Sequence, residues 1–491
     1  MKLYLINNDC RYAAEQMLVT LFPTERPEFP QGQLSGEGAE LSIFEGEKYF
    51  TGVCKLCRNG VNYIGWAKSE KSTAVDELTR SRCLQRLVKL SFYRAALASG
   101  VKKPAWGALT GVRPGKLLSN LLEAGLSDRA ALTKFCRDND VSGERAQLAL
   151  KTAKAGTSCA KALEPRDICL YVGIPFCPTR CSYCSFVSQS TEKSMALIPP
   201  FLSALHQEIE ATAAVCQELS LRPVSLYMGG GTPTTLSAAE LNSLCEKLET
   251  AFDLSKLREF TVEAGRPDTI TAEKLSVLRA HGVTRVSVNP QTMDDRVLEA
   301  IGRKHTARDV LEALDLVRAA GGFEINMDLI AGLPLDSVAG FSKTLKTLLA
   351  LKPENITIHT LSLKKGSRLL RSETPLPSGE AVSEMLDFAN SALTKNGFEP
   401  YYLYRQKYMS GGFENIGWQR GQSENIYNIC IMEELCSIIS MGGGASTKLC
   451  SVGGRLEHLY NPKYPHEYIA DIDKIISEKQ KIKEILKWHT I

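Results

Sequence analysis

The chain of 491 residues has no apolar run long enough to cross a bilayer, which argues against a membrane span. It also lacks a dense basic block. Its 59 Lys and Arg stand against 55 Asp and Glu, a formal charge of only +4. Nucleic acid is therefore not expected as a partner, while the mild excess suits an anionic small molecule. No repeat of fixed period appears, so a solenoid is excluded. The opening MKLYLINNDC holds one lysine and a short alternating run, which reads as a first strand and not as an export signal.

Cysteine, by contrast, is plentiful, at 15 residues. With no export signal, these thiols point to a reducing compartment and a cytoplasmic protein. Most fit the role of small buried residues. Cys83, Cys136, Cys216, Cys245, Cys430 and Cys436 lie in apolar, helix-like surroundings. Cys54-x2-Cys57 has no partner pair and is read as incidental.

Three parts are visible along the chain. Residues 1–165 mix short strands (2–6, 40–44, 62–66) with helices, the longest over 72–97; another begins near Lys116, and a lysine-rich run ending at Pro165 reads as a linker. Residues 166–400 carry six β-rich runs, at 170–174, 225–230, 260–264, 284–289, 324–330 and 355–361. Helical patterns at 201–216, 239–252, 272–280, 307–320 and 341–351 separate them. Alternation of this kind requires parallel pairing with crossovers. It makes either a doubly wound sheet or an incomplete (β/α)6 barrel. Polar and glycine-rich signals fall at the carboxyl ends of all six runs, which favours the barrel and its single mouth. Residues 401–491 are less periodic, with a helix expected around 431–440, and read as a small accessory domain.

Cys177-x3-Cys181-x2-Cys184 follows the first of those strands directly. Three thiolates within eight residues can wrap one metal centre, and Pro175 and Pro178 stiffen the loop. An all-cysteine iron–sulfur cluster needs four ligands, so three leave one iron open to chemistry. Zinc sites usually pair two CxxC units, and no second pair stands beside this one.

The string LYVGIPFCPTRCSYCSF, followed by MGGGTPT, resembles the radical S-adenosylmethionine superfamily, and within it the oxygen-independent coproporphyrinogen III oxidase family. The segment GVRPGKL and the stretch YYLYRQKYMSGGFENIGW resemble its longer HemZ branch, the coproporphyrinogen dehydrogenases. The resemblance implies an α/β radical-SAM barrel flanked by an N-terminal α+β domain and the C-terminal accessory domain. It also implies a [4Fe–4S] cluster on Cys177, Cys181 and Cys184, with S-adenosylmethionine on the open iron. Tyr171 matches the tyrosine six residues ahead of the first cysteine. Gly230, Gly231 and Thr232 match the turn that holds the methionine amino group, where a side chain would keep the backbone away from the ligand. Glu263 matches an acidic cofactor contact, and Gln291 and Asp328 match residues on the nucleoside. Arg303 matches the arginine near the methionine carboxylate. Phe186 stands where the best-known oxidase has a further cysteine; it and Tyr183 are aromatic candidates for the adenine. Gly173 replaces the family's strand histidine.

The implied reaction is radical oxidative decarboxylation of coproporphyrinogen III propionates to vinyl groups, giving protoporphyrinogen IX. It needs an electron donor such as a flavodoxin or ferredoxin. Arg405 and Lys407 are candidate partners for substrate carboxylates. The first rival is a haem-binding chaperone on the same fold, in which the comparable stretch carries a histidine where this chain has Glu414; the second is a radical enzyme with an unrelated substrate, and the third a structural zinc protein.

Overall fold

The computed structural model describes residues 1–185, 189–364, 366–372, 374–406, 412–450 and 456–486. They form two compact units, residues 1–150 with 404–414 and residues 151–403 with 415–491.

In the first unit, strand Leu3–Ile6 pairs in parallel with Gly38–Glu45. Antiparallel strands Tyr49–Arg58 and Val61–Glu70 continue the sheet. Asn59 and Gly60 both have positive φ, the turn that matches the twist of a tight hairpin. Helix Glu77–Ala98 starts at a reciprocal cap between Asp76 and Thr79 and packs on the sheet. Gly52 and Gly65 admit its backbone: a Cβ at Gly65 would lie 2.1 Å from the Ser91 carbonyl oxygen. Alternate residues Leu41, Ile43, Phe50, Cys54 and Leu56 fill the interface with Leu87, Val88 and Phe92. Cys54 and Cys57, three apart on one strand, point to opposite faces and cannot share an ion.

The expected linker before Pro165 is instead the end of a helix, Gly143–Lys161. Ala146, Ala149, Leu150 and Ala153 form its buried stripe, and Lys151, Lys154 and Lys161 lie on the outer positions of an amphipathic helix.

The second unit is built on six parallel strands, β1 (Asp167–Ile174), β2 (Arg222–Gly230), β3 (Glu259–Glu263), β4 (Arg285–Ser287), β5 (Glu324–Ala331) and β6 (Asn355–Thr360). They pair in unbroken sequence order, 1-2-3-4-5-6. A doubly wound sheet would reverse direction at a switch point. Constant order with crossovers of one hand keeps every helix on one side, as in a partial barrel. Helices Ile198–Glu218, Ala238–Ala251, Ala272–Ala280, Ala307–Ala320 and Val338–Leu351 make the crossovers, and Ser237, Thr271, Thr306 and Ser337 cap the last four.

The amino ends of the strands are tied by a buried ionic network. Arg285 of β4 donates to Glu259 of β3 at 2.7 Å, to Asn355 of β6 at 3.1 Å and to the Ser423 carbonyl at 2.9 Å.

Residues 401–491 do not fold apart. Five further strands, β7 (Glu399–Arg405), β8 (Glu414–Gln419), β9 (Ser437–Gly442), β10 (Ser446–Cys450) and β11 (Leu456–Tyr460), extend the sheet on both sides. Strand β9 runs parallel to β1 and β8 antiparallel to β6. The helix expected around 431–440 lies earlier, at Ile426–Glu433, because Glu434 adopts a left-handed conformation that ends it. The following SIISMG is a strand buried along its whole length. Among the described residues no helix is long and apolar enough to cross a membrane.

Candidate active site

Of the expected site residues that the structure describes, Tyr171, Gly230, Glu263 and Asp328 lie on β1, β2, β3 and β5, and the others lie in the segments that follow β1, β2 and β4. The cysteine loop leaves β1 and is anchored from several sides. Ser182 N–H donates to the Ile301 carbonyl at 2.9 Å, and Arg266 donates to the Thr179 carbonyl at 3.1 Å. Leu369 N–H donates to the Ser182 carbonyl at 2.9 Å. Thr232 donates its hydroxyl to the Cys177 sulfur at 3.5 Å. Among the described residues, Cys177, Cys181 and Cys184 are not among the groups whose ligand atoms all lie within 4.8 Å of one another. That separation is wide for a single ion.

The glycine turn ends β2. Gly230 has φ +103°, a conformation side chains rarely adopt. For its neighbours the cause is the chain's own packing and not a ligand. A Cβ at Gly229 would lie 2.9 Å from the Glu263 carboxyl carbon and from the Tyr227 ring. A Cβ at Gly231 would lie 2.4 Å from the Phe176 carbonyl oxygen, against the start of the cysteine loop.

Glu263, closing β3, accepts from the Tyr227 hydroxyl at 2.7 Å and from the Gly230 N–H. Burial pushes its carboxyl up to about 7; the Tyr227 hydrogen bond opposes this and the Asp328 charge adds to it. Tyr227 stacks with Tyr427 at 4.5 Å and with Tyr171 at 6.2 Å between ring centres. Tyr171, on β1, lies beneath the glycine turn, since a Cβ at Gly230 would meet its hydroxyl at 3.3 Å.

Asp328, on β5, accepts from Asn326 at 2.8 Å and lies 3.7 Å from His359 of β6. Gln291 is held at φ +68° by two backbone bonds to β5, its N–H to the Asp328 carbonyl and its carbonyl to the Ile330 N–H. Arg303 donates to the Asn289 carbonyl at 2.6 Å, and its guanidinium reaches Tyr183 at 3.3 Å and the Cys181 thiol. Tyr183 packs on the apolar cluster of Val297, Leu298, Ile301, Ile330 and Leu333. Phe186 lies outside the described residues.

Among the polar atoms of this mouth that are buried without a hydrogen-bond partner among the described residues are Asn289 Oδ1, Gln291 Oε1, Arg303 Nε and Ser182 Oγ. Buried polar groups left this way cost roughly 1–3 kcal/mol each, so they mark where a polar ligand fits.

Gly173 replaces the family histidine for a local reason. Strands β1 and β9 approach closely there, and a Cβ at Gly173 would lie 2.9 Å from the Gly443 carbonyl oxygen. Arg405 is not available to a substrate carboxylate. It is buried in the first unit, donates to the carbonyls of Leu109, Gly111 and Gly412, and lies over the Trp106 ring; burial pulls its pKa down to about 10. Lys407 lies outside the described residues.

Tyr227, Tyr427, His359 and Asn289 were not singled out from sequence. Tyr227 and His359 carried a signal, as polar residues near the carboxyl ends of strands whose mouth was already expected.

Comparison with known proteins matches these elements. The Radical SAM superfamily model covers residues 171–348. The fold resembles coproporphyrinogen III oxidase HemN of Escherichia coli, with a TM-score of 0.53 and 23% identity over 66% of this chain and 72% of that one. This is a radical SAM protein. The oxygen-independent coproporphyrinogen-III oxidase-like protein HemZ of Bacillus subtilis is 39% identical over 385 residues, 77% of either chain. The chain belongs to that HemZ-like family. The heme chaperone HemW of the same organism is 32% identical over 48% of this chain and 62% of its own. Membership of the superfamily brings a [4Fe–4S] cluster and S-adenosylmethionine as cofactors.

Proposed function

We propose that Cys177, Cys181 and Cys184 hold the [4Fe–4S] cluster and that the protein oxidatively decarboxylates coproporphyrinogen III to protoporphyrinogen IX. The observation that carries the reading is the arrangement of polar groups at one end of six adjacent parallel strands. The thiol loop, the Gly230 turn, Glu263, Gln291 and Asp328 share that end, with unpaired polar atoms among them. When bound, the cluster and S-adenosylmethionine supply a one-electron cleavage that delivers a hydrogen-abstracting radical. A flavodoxin- or ferredoxin-like donor fits the need for that electron.

The chain's own groups bind and orient. Glu263, protonated in part near neutral pH, ionises as a cationic amino group approaches, because the opposite charge offsets its burial. The Gly230 turn brings backbone to the same place. Gln291 Oε1 and the Asp328 carboxylate present acceptors suited to ribose hydroxyls. Arg303 is suited to a carboxylate through its unpaired Nε, and Tyr183 and Phe186 remain aromatic candidates for the adenine.

The chaperone reading loses support at Glu414. Its buried carboxylate pairs with Arg145 at 2.6 Å and accepts from Trp106 at 2.6 Å, so it is committed inside the first unit. The test is anaerobic reconstitution followed by assay of 5′-deoxyadenosine with and without coproporphyrinogen III. Cleavage that accelerates with the porphyrinogen and yields protoporphyrinogen supports the reading. Stoichiometric haem binding with no product overturns it in favour of the chaperone.

A further inference from the structure

The far end of β1 holds a second group of thiols, of which Cys430 and Cys436 are read from sequence as small buried residues. Cys169 of β1, Cys430 of helix Ile426–Glu433 and Cys436 before β9 are all buried, with their three sulfurs within 4.8 Å of one another. The Cys169 and Cys436 sulfurs are 3.7 Å apart. Cys159, in the last turn of helix Gly143–Lys161, is in hydrogen-bonding contact with Cys430, and Cys430 also touches Cys169 and Cys436.

Local geometry makes this convergence specific. Glu434, at φ +58°, ends its helix and turns the chain back, so that Cys430 and Cys436 meet across six residues. Ala162 and Leu163 bond back to the helix end and Arg166 takes φ +75°, which returns the chain from Cys159 to Cys169. Three sulfurs thus face one point, and Cys159 lies against one of them, Cys430, at the edge of the group. Apolar Leu163, Ile426, Ile431 and Ile438 surround them, and Arg258 supplies a cation beside Cys159.

We propose that Cys159, Cys169, Cys430 and Cys436 form a second metal site, a tetrahedral thiolate centre for a single zinc ion. Zinc–sulfur bonds of about 2.3 Å in a tetrahedron place neighbouring sulfurs about 3.8 Å apart. The Cys169–Cys436 separation already has that value, and Cys169, Cys430 and Cys436 share a limit of 4.8 Å that fits one ion; Cys159, in contact with Cys430, supplies the fourth sulfur by turning its side chain inward. All four positions are protein ligands, so the site is closed and structural. Binding releases thiol protons and ties the base of β1 to β9 and to two helices. It also fixes Tyr427, one helical turn before Cys430, whose ring stacks on the Tyr227 that holds Glu263. None of this depends on the substrate proposed above.

The experiment measures metal content of the full chain expressed with zinc and iron present. The triple variant Cys177→Ala, Cys181→Ala, Cys184→Ala removes the radical cluster, so its metal reports this site alone. One zinc per chain, with X-ray absorption showing only sulfur neighbours at about 2.3 Å, is the expected result. Cys430→Ser in that background is expected to lose it. The same triple variant, grown with cobalt, gives the same answer without a cysteine change at this site, through the thiolate-to-cobalt absorption. Absence of zinc from the triple variant, a Cys169–Cys436 disulfide in the purified protein, iron in place of zinc, or zinc retained in Cys430→Ser would each overturn the proposal.

Discussion

Tyr227 donates its hydroxyl to Glu263 at 2.7 Å, and Gly229, two residues further along the strand of Tyr227, leaves the room for it. The pair couples an aromatic stack to the mouth of the barrel, and its consequences are measurable by pH.

With its folded pKa raised from 4.5 to about 7, Glu263 stabilises the fold fully below pH 4.5, and that contribution is lost as pH rises through 7. The loss has a ceiling of about 3 kcal/mol, reduced by screening because the side chain is partly open to the mouth. Glu263→Gln is expected to flatten the denaturation midpoint of cofactor-free protein between pH 5 and 8. Unchanged pH dependence in the variant contradicts the assignment.

Gly231→Ala places a methyl 2.4 Å from a backbone oxygen of the cysteine loop, which cannot yield as a side chain tip can. A destabilisation of about 1–3 kcal/mol is expected in urea titration, with reduced iron uptake on reconstitution. Gly282→Ala, at a glycine with nothing within 4 Å of its added Cβ but φ +70°, is the control. It should lose stability through backbone strain alone and keep its iron.

Arg285→Met breaks the buried network at the opposite end of the barrel and leaves Glu259 without its cation. The cost expected is about 3–5 kcal/mol by denaturant titration. Iron loading of the folded fraction should not change, because the network lies at the amino ends of the strands.

Much of this was legible in the sequence, for stated reasons. The strands announced themselves because LYVGI is a short apolar run and NITIHTL alternates isoleucines with polar residues, both rich in β-branched or aromatic side chains and separated by helical patterns. Their order followed from the intervening helices. The last ninety residues were misread because SIISMG is as apolar as a helix core, and only the left-handed Glu434 separates the two states. The run at 151–161 was misread because lysines on one face of an amphipathic helix resemble a charged linker. The four thiols were illegible, since Cys159 and Cys169 meet Cys430 and Cys436 only after strand pairing brings distant segments together.

Cys181→Ala removes one of the three proposed ligands from a loop that offers one fewer than an all-cysteine cluster requires. The variant is expected to hold no stable cluster and to form no 5′-deoxyadenosine. Full iron content with full cleavage would show that the ligands lie elsewhere.

The most direct measurement is electron paramagnetic resonance of the anaerobically reduced, iron-loaded protein, before and after addition of S-adenosylmethionine. A reduced [4Fe–4S] signal that changes shape on addition is predicted, because the cofactor takes the iron left without a thiolate. A signal indifferent to the cofactor, or no cluster signal at all, contradicts the account.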